Sequence, residues 1–465
     1  MRPRVWMADA GHGCIAARDV PLGWDDVLPA VGLNGRMRSS NHFAGALFCG
    51  CAVAVIGTHK AVAQEALRTA LESDAAALLR NMPPLPPPGD VIRWGPATFD
   101  VSVSYALDAT DNSTFEETDR QKDLIQRPMV NLGVLLQISP RSRLDFRTGV
   151  GYEDYIDNTS EDRLLITPGS ELAFDVRVGK GVLTIFDRFE YTQDVAEQGA
   201  IAGEGSVPRF ENRAGLRSIW QFDNWVYQAG FAHLNVLVTG DSSDEGTSDF
   251  RHLERTDEQF FGRVGYLFDE VPLHAGIEAT TALADYVVDT QRDPDALSLG
   301  PFMTWTAADA LKITMRGGVV YVYFNATDGL DATEYTTYYA GLNLDHRLTS
   351  RFTYGFALTH DIRAGFNEGT DYIETSRAEF DGSWLMTRFW RWSWLLFAEN
   401  AEEVALSNLG QTEKYQRFGI SVGPAYQVSD HLSAFAHYAF TVRDSDIEGR
   451  SYRENRATIG VTFRF

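Results

Sequence analysis

From Thr98 to the last residue, apolar and polar positions alternate with a period of two. That is the repeat of a β-strand, whose successive side chains point to opposite faces. The final run shows it most plainly. Ala457, Ile459, Val461, Phe463 and Phe465 share one face; Glu454, Arg456, Thr458, Gly460, Thr462 and Arg464 share the other. Elsewhere Leu144, Phe146, Thr148, Val150 and Tyr152 alternate with Arg143, Asp145, Arg147, Gly149 and Gly151. Phe210, Ala214, Leu216 and Trp220 alternate with Arg209, Glu211, Arg213 and Arg217. Tyr372, Ala378, Phe380, Trp384 and Met386 alternate with Arg377, Glu379 and Asp381.

The connections between runs alternate as well. Short ones fall at Ser139–Ser142, Gly179–Gly181, Phe222–Trp225, Asp269–Pro272, Ala307–Ala310, Thr349–Ser350, Thr387–Phe389 and Val428–His431. Long acidic ones fall at Asp108–Asp123, Glu153–Asp162, Thr192–Val207, Thr239–Asp249, Asn325–Glu334, Glu399–Glu413 and Asp444–Gly449. Outer-membrane barrels sort their loops in this way, with short periplasmic turns and longer outer loops. The expectation is an all-β fold: a closed antiparallel transmembrane β-barrel over residues 98–465. Its runs count to about eighteen strands, with sixteen as the lower bound. The apolar face looks at lipid. The charged face, which cannot be buried dry and unpaired, lines water or forms lateral ion-pair ladders.

The close of the chain, Tyr452-Arg-Glu-Asn455 followed by alternating residues and Phe463-Arg-Phe465, resembles the beta-barrel porin-2 family of bacterial outer-membrane proteins. The resemblance covers the last strand only. It implies a membrane barrel without catalytic residues. Because some members of that family are associated with exopolysaccharide export, it also implies periplasmic polysaccharide-export proteins as partners. Val461, Phe463 and Phe465 form the expected carboxyl-terminal insertion signal for the barrel-assembly machinery.

Composition agrees with this reading. The mean hydropathy of −0.22 excludes a polytopic helical membrane protein but not a barrel, whose alternating strands average to mild values. The net charge of −23 excludes a nucleic-acid partner, because phosphate binding needs a positive footprint. The three cysteines, Cys14, Cys49 and Cys51, all precede the barrel. A cysteine-free barrel suits an oxidising compartment.

The amino-terminal region reads as a processed segment. Phe43–Gly57 is apolar but too short to span a bilayer, which takes about 20 residues. Met37 and Arg38 precede it, and Ala61-Val62-Ala63 is a small-x-small cleavage site. Residues 37–63 are the expected secretory signal, removed near Ala63, and residues 1–36 an upstream mis-start. Residues 64–97 are expected to be periplasmic: a helix over Glu65–Arg80, then a Pro-rich spacer over Met82–Gly89.

No phosphate loop, zinc-spaced Cys/His set or nucleophile elbow occurs in the sequence, so no enzyme, cofactor or metal site is expected. Asp345-His346 and His360-Asp361 put their members on opposite faces. Ser433 stands too far along its strand to reach His437. Asp444–Gly449 begins like a calcium loop, but the closing position holds Asn455 where a bidentate Glu is needed. The functional expectation is a porin-like passive channel for hydrophilic solutes in the Gram-negative outer membrane. The alternatives are an exopolysaccharide exit and a structural or adhesive barrel acting through its acidic loops. The expected lumen-lining residues are Arg143, Asp145, Arg147, Glu171, Asp175, Arg177, Glu211, Arg213, Arg217, Arg316, Asp345, Arg377, Glu379, Asp381, Arg417, Glu454, Arg456 and Arg464.

Overall fold

The computed structural model describes residues 92–192, 208–239, 250–288, 291–308, 310–326, 331–406 and 410–465. The expected signal, the helix over Glu65–Arg80 and most of the long connections Thr192–Val207 and Thr239–Asp249 lie outside the described residues.

A short strand, β1 (Ile92–Trp94), precedes eighteen long ones. These are β2 (Ala97–Thr110), β3 (Asp123–Ser139), β4 (Ser142–Tyr155), β5 (Arg163–Val178), β6 (Gly181–Thr192) and β7 (Arg209–Phe222). They continue with β8 (Trp225–Val238), β9 (Arg255–Leu267), β10 (Leu273–Tyr286), β11 (Pro294–Ala308), β12 (Leu311–Phe324) and β13 (Thr333–Thr349). The last are β14 (Phe352–Ala364), β15 (Tyr372–Leu385), β16 (Trp390–Val404), β17 (Glu413–Gln427), β18 (Leu432–Ser445) and β19 (Tyr452–Arg464).

Each long strand pairs antiparallel with its sequence neighbours, and β19 pairs with β2, Arg456 opposite Thr110 through Arg464 opposite Ser102. The sheet therefore closes into an eighteen-strand barrel with β1 as an added strand. Closure removes the free edges that an open sheet would present. β1 pairs with the start of β2, Ile92 opposite Phe99 and Trp94 opposite Ala97. It occupies the lane that β19 leaves when it ends at Phe465, whose N–H reaches the Val101 carbonyl at 3.0 Å. Beside this closure Arg464 Nε donates to Asp100 Oδ1 at 2.7 Å.

All eight short connections sit where the alternation places them. Asp223, at φ 52, supplies the left-handed conformation that the tight β7–β8 turn requires. Several long connections start later than the sequence suggested. β2 runs on to Thr110, β4 to Tyr155 and β16 to Val404, so Asp108, Glu153 and Glu399 are strand residues. Two further long connections, residues 287–293 and 365–371, complete the alternation. The reason for the early boundaries is chemical: acidic side chains on an inward face look like loop residues until their partners are seen.

The faces divide as the alternation requires. Ile459, Val461, Phe463 and Phe465 are 59, 46, 43 and 50% exposed on the outside, whereas Glu454, Thr458, Thr462 and Arg464 are buried inside. Val150, Leu216, Ile277, Leu299, Val319 and Phe418 extend the exposed apolar surface around the ring. Strands of 12 to 17 residues exceed the roughly 9–11 that a tilted membrane strand needs, so both rims project beyond such a belt.

Candidate functional site

The barrel interior is built by the odd or even positions of each strand that oppose the exposed apolar ones. By strand parity the eighteen residues expected in the lumen stand opposite the exposed apolar positions, and Asp175, Arg213, Arg417, Glu454 and Arg464 among them are buried. Cross-strand register, and the two-residue spacing along single strands, then bring opposite charges together. Arg143 meets Asp175 at 2.9 Å, Arg147 meets Asp145 at 2.9 Å, and Arg456 meets Glu454 at 2.8 Å. Glu171 takes Arg188 at 3.1 Å and Arg217 at 3.8 Å. Glu211 takes Arg209 Nε at 2.5 Å. Arg316 stands among Glu278, Asp361 and Arg263. Glu399 holds Arg377 at 2.9 Å and Arg417 at 3.2 Å, and Arg377 also contacts Glu379. Arg213 is buried, Asp345 and Asp381 stand on the same face, and Arg177 is exposed at its strand's end.

Sequence reasoning missed several members of this network. Arg127 bridges Asp108 at 2.8 Å and Glu153 at 2.7 Å, and Arg163 also pairs with Glu153 at 2.5 Å. Arg443 and Arg450 share Glu413 at 2.6 and 2.9 Å. The signal was present: Asp108 continues the parity of Ser102, Ser104 and Ala106. Arg417, Arg443 and Glu413 are at most 2% exposed. Where they stand, the charged face is a packed ion-pair ladder rather than a bare wet wall.

The outer mouth departs from a plain cylinder. The β13–β14 ladder stops at Ala340 opposite His360. Yet β13 stays paired with β12 up to Thr333, and β14 stays paired with β15 up to Ala364 opposite Tyr372. Above the break the β14–β15 end folds inward. By parity Ile362 and Tyr372 belong to the outer face, but both are buried against Ala296, Val320, Val322, Phe324 and Tyr339 of the inner wall. Tyr335 stacks on Tyr372 with ring centroids 4.4 Å apart, and Tyr335 and Thr337 donate to Glu374 at 3.1 and 2.5 Å. The expectation that Tyr372 joins the lipid-facing residues is corrected by this fold-back.

The inward tip, residues 365–371, is rigid in its own right. Glu403 accepts hydrogen bonds from Phe366 N and Asn367 N at 2.7 Å each, from Thr370 Oγ1 at 2.6 Å and from Asn367 Nδ2. The tip then reaches other loops. Asp371 Oδ1 pairs with Arg292 Nη2 at 2.6 Å, Gly369 N donates to Gln291 Oε1 at 3.1 Å, and His252 Nε2 donates to the Phe366 carbonyl at 2.8 Å. Burial pushes the Asp371 carboxyl above the usual carboxylate range against the pull of Arg292. Phe115, from residues 111–122, takes a left-handed φ of 56 and meets Tyr452 edge-on at 5.3 Å. Phe115, Leu253, Phe366, Tyr415 and Tyr452 belong to one apolar cluster. The connections that carry Phe115, Leu253 and Phe366 leave the ring six strands apart, so they meet only by turning in over the bore.

Ser421 Oγ and His437 Nε2 are in contact on the inner wall. Ser421 is 2% exposed, and the other imidazole nitrogen faces the Gly423 backbone, so this is a contact packed within the wall. His360 stacks on Tyr338 outside while Asp361 points inward beside Arg363, the opposite-face arrangement expected of neighbours. Among the described residues no group of three His, Cys, Asp or Glu side chains is placed to hold a metal. In the Asp444–Gly449 stretch, Gly449 N donates to Glu117 Oε2 at 2.8 Å.

No family model and no curated protein matches the chain, so the resemblance of its last strand rests on those residues alone. Among solved structures, OccAB3 of Acinetobacter baumannii is 10% identical, with a TM-score of 0.43, over 79% of this chain and 99% of its own. A BenF-like porin from Pseudomonas fluorescens Pf-5 is 10% identical, with a TM-score of 0.44, over 80% of this chain and 99% of its own. OmpT of Vibrio cholerae lacking loop L8 is 11% identical, with a TM-score of 0.37, over 80% of this chain and 100% of its own. Likenesses this distant carry no argument about function, and the barrel stands on its own ladders.

Proposed function

We propose that the chain is a porin-like channel of the Gram-negative outer membrane, passing small hydrophilic solutes passively. The observation that carries this reading is the sidedness of the closed ring. Its convex surface is apolar around the circumference, and its concave surface carries paired ions. Water would strip such an outer face of any reason to be apolar, whereas hydrocarbon demands it. A ring of about eighteen strands is also wide enough to leave an aqueous bore, where about eight would be filled by side chains. Selection would act by size at the infolded mouth and by local charge along the wall. An exit for a continuous polymer needs an unobstructed bore, and the loops that turn in over this mouth count against it. An adhesive role rests on the acidic loops alone and has no further support.

Purified protein reconstituted in planar bilayers is expected to give discrete conductance steps that scale with bulk salt. Folded protein that stays silent, including a variant in which residues 365–371 are replaced by a short glycine linker, would end the channel reading.

A further inference from the structure

We propose that the inward-folded end of the β14–β15 hairpin is a displaceable stopper with two built-in positions. The idea rests on the channel reading and adds to it how the mouth opens. In the observed position no described ladder pair joins the hairpin end to β13 above Ala340 and His360. It is held there by side chains: the Tyr335–Tyr372 stack, the Glu374 hydrogen bonds and the Arg292–Asp371 pair.

The second position is written into the register. Extending the ladder past Ala340–His360 sets Tyr339 opposite Asp361, Tyr338 opposite Ile362, Thr337 opposite Arg363 and Thr336 opposite Ala364. Swinging outward would exchange the side-chain contacts for four further ladder pairs and complete the cylinder. Glu403 clasps the tip from β16, which is paired with β15 up to Tyr372 opposite Val404 and with β17 up to Glu403 opposite Glu413, so the tip would move together with the β15–β17 end of the wall. The outer-face residues at the break are Tyr338 and Ala340 of β13 and His360, Ser376 and Glu374 of the hairpin, a mostly polar set with an interfacial tyrosine that suits a hinge at the rim of the apolar belt. There, unpaired backbone groups can meet water, which a hydrocarbon layer would not permit.

Cysteine pairs test this, in a background with Cys14, Cys49 and Cys51 changed to serine. Tyr338→Cys with Ile362→Cys reports the outward position, since directly opposed residues lie about 4.5–5.5 Å apart, within disulfide reach. Thr337→Cys with Glu374→Cys, joined by a short bifunctional thiol reagent, holds the inward one. Oxidation is expected to close the first disulfide, faster when Arg292→Ala is added, and to raise single-channel conductance several-fold. The inward cross-link is expected to hold conductance low until it is cleaved.

Failure of the 338–362 disulfide to form, even with Arg292→Ala in protein that retains its heat-modifiable gel mobility, would overturn the proposal. In a barrel that conducts, equal conductance of both locked forms would overturn it too. Disulfide formation is read by mass and needs no current. A barrel that zips but stays silent even with residues 365–371 replaced therefore refutes the channel and supports the two positions.

Discussion

Replacing Glu399 with alanine is expected to cost about 3–5 kcal/mol of barrel stability, because it strands the charge of Arg417, whose side chain no water reaches. Arg417 is fully buried at its side chain, and Arg377 lies at its edge. The Phe397 ring lies 4.2 Å from the Arg377 guanidinium carbon and 5.1 Å from that of Arg417, so the aromatic wall holds both in place. Removing the carboxylate leaves Arg417 without its buried counter-ion, whereas Arg377 keeps Glu379. The double change Glu399→Leu with Arg417→Leu removes both halves of the buried pair. It is expected to recover most of the loss, since a buried ion pair replaced by apolar groups is often close to neutral. Urea unfolding in lipid vesicles, followed by tryptophan fluorescence, measures both. Equal midpoints for the single and double variants would show that the pair is not what the wall depends on.

The same pair illustrates what the chain discloses by its pattern and what it hides. Strand number, turn positions and the sidedness of the sheet follow from a period of two, because every strand faces the same two environments. The inner face is legible as a class for the same reason: Arg377 and Arg417 could be placed inward without knowing their partner. Glu399 could not, since an acidic residue near the end of a run looks identical to the start of a solvated loop. The fold-back at the mouth was hidden more deeply. Tyr372 and Ile362 obey outer-face parity, and nothing local to them says that the ladder has parted at His360. That departure is decided by tertiary contacts with Val320, Val322 and Phe324 of β12, two strands from Ile362 and three from Tyr372. Phe115 and Phe366 show a related limit. Each is a lone aromatic in an acidic stretch, and its burial depends on loops that leave distant parts of the ring. Period-two reasoning sees neighbours along a strand and across one ladder; it does not see across the bore.

Arginine in place of Leu299 is expected to destabilise the inserted barrel by about 2–4 kcal/mol, against about 0–1 kcal/mol for Val178→Arg. Both side chains are exposed on the outer face, at 57 and 45%. They differ in height. Leu299 stands midway along β11, among the outward residues Leu297, Pro301 and Met303, whereas Val178 is the last residue of β5 beside a short turn. If the outer face met water, both substitutions would be ordinary surface changes within about 0.5 kcal/mol of neutral. In hydrocarbon the cost depends on depth, because an arginine near the rim extends its head group to the interface and one at the middle cannot. Equilibrium folding into vesicles across a urea series gives the two values directly. Equal and small values would place the outer face in water and remove the physical basis of the channel reading. A large penalty at Leu299 alone fixes the hydrocarbon layer at the height of the apolar belt. That result would also put the parted β13–β14 rim above the layer, where a moving hairpin exposes its backbone to solvent rather than to lipid.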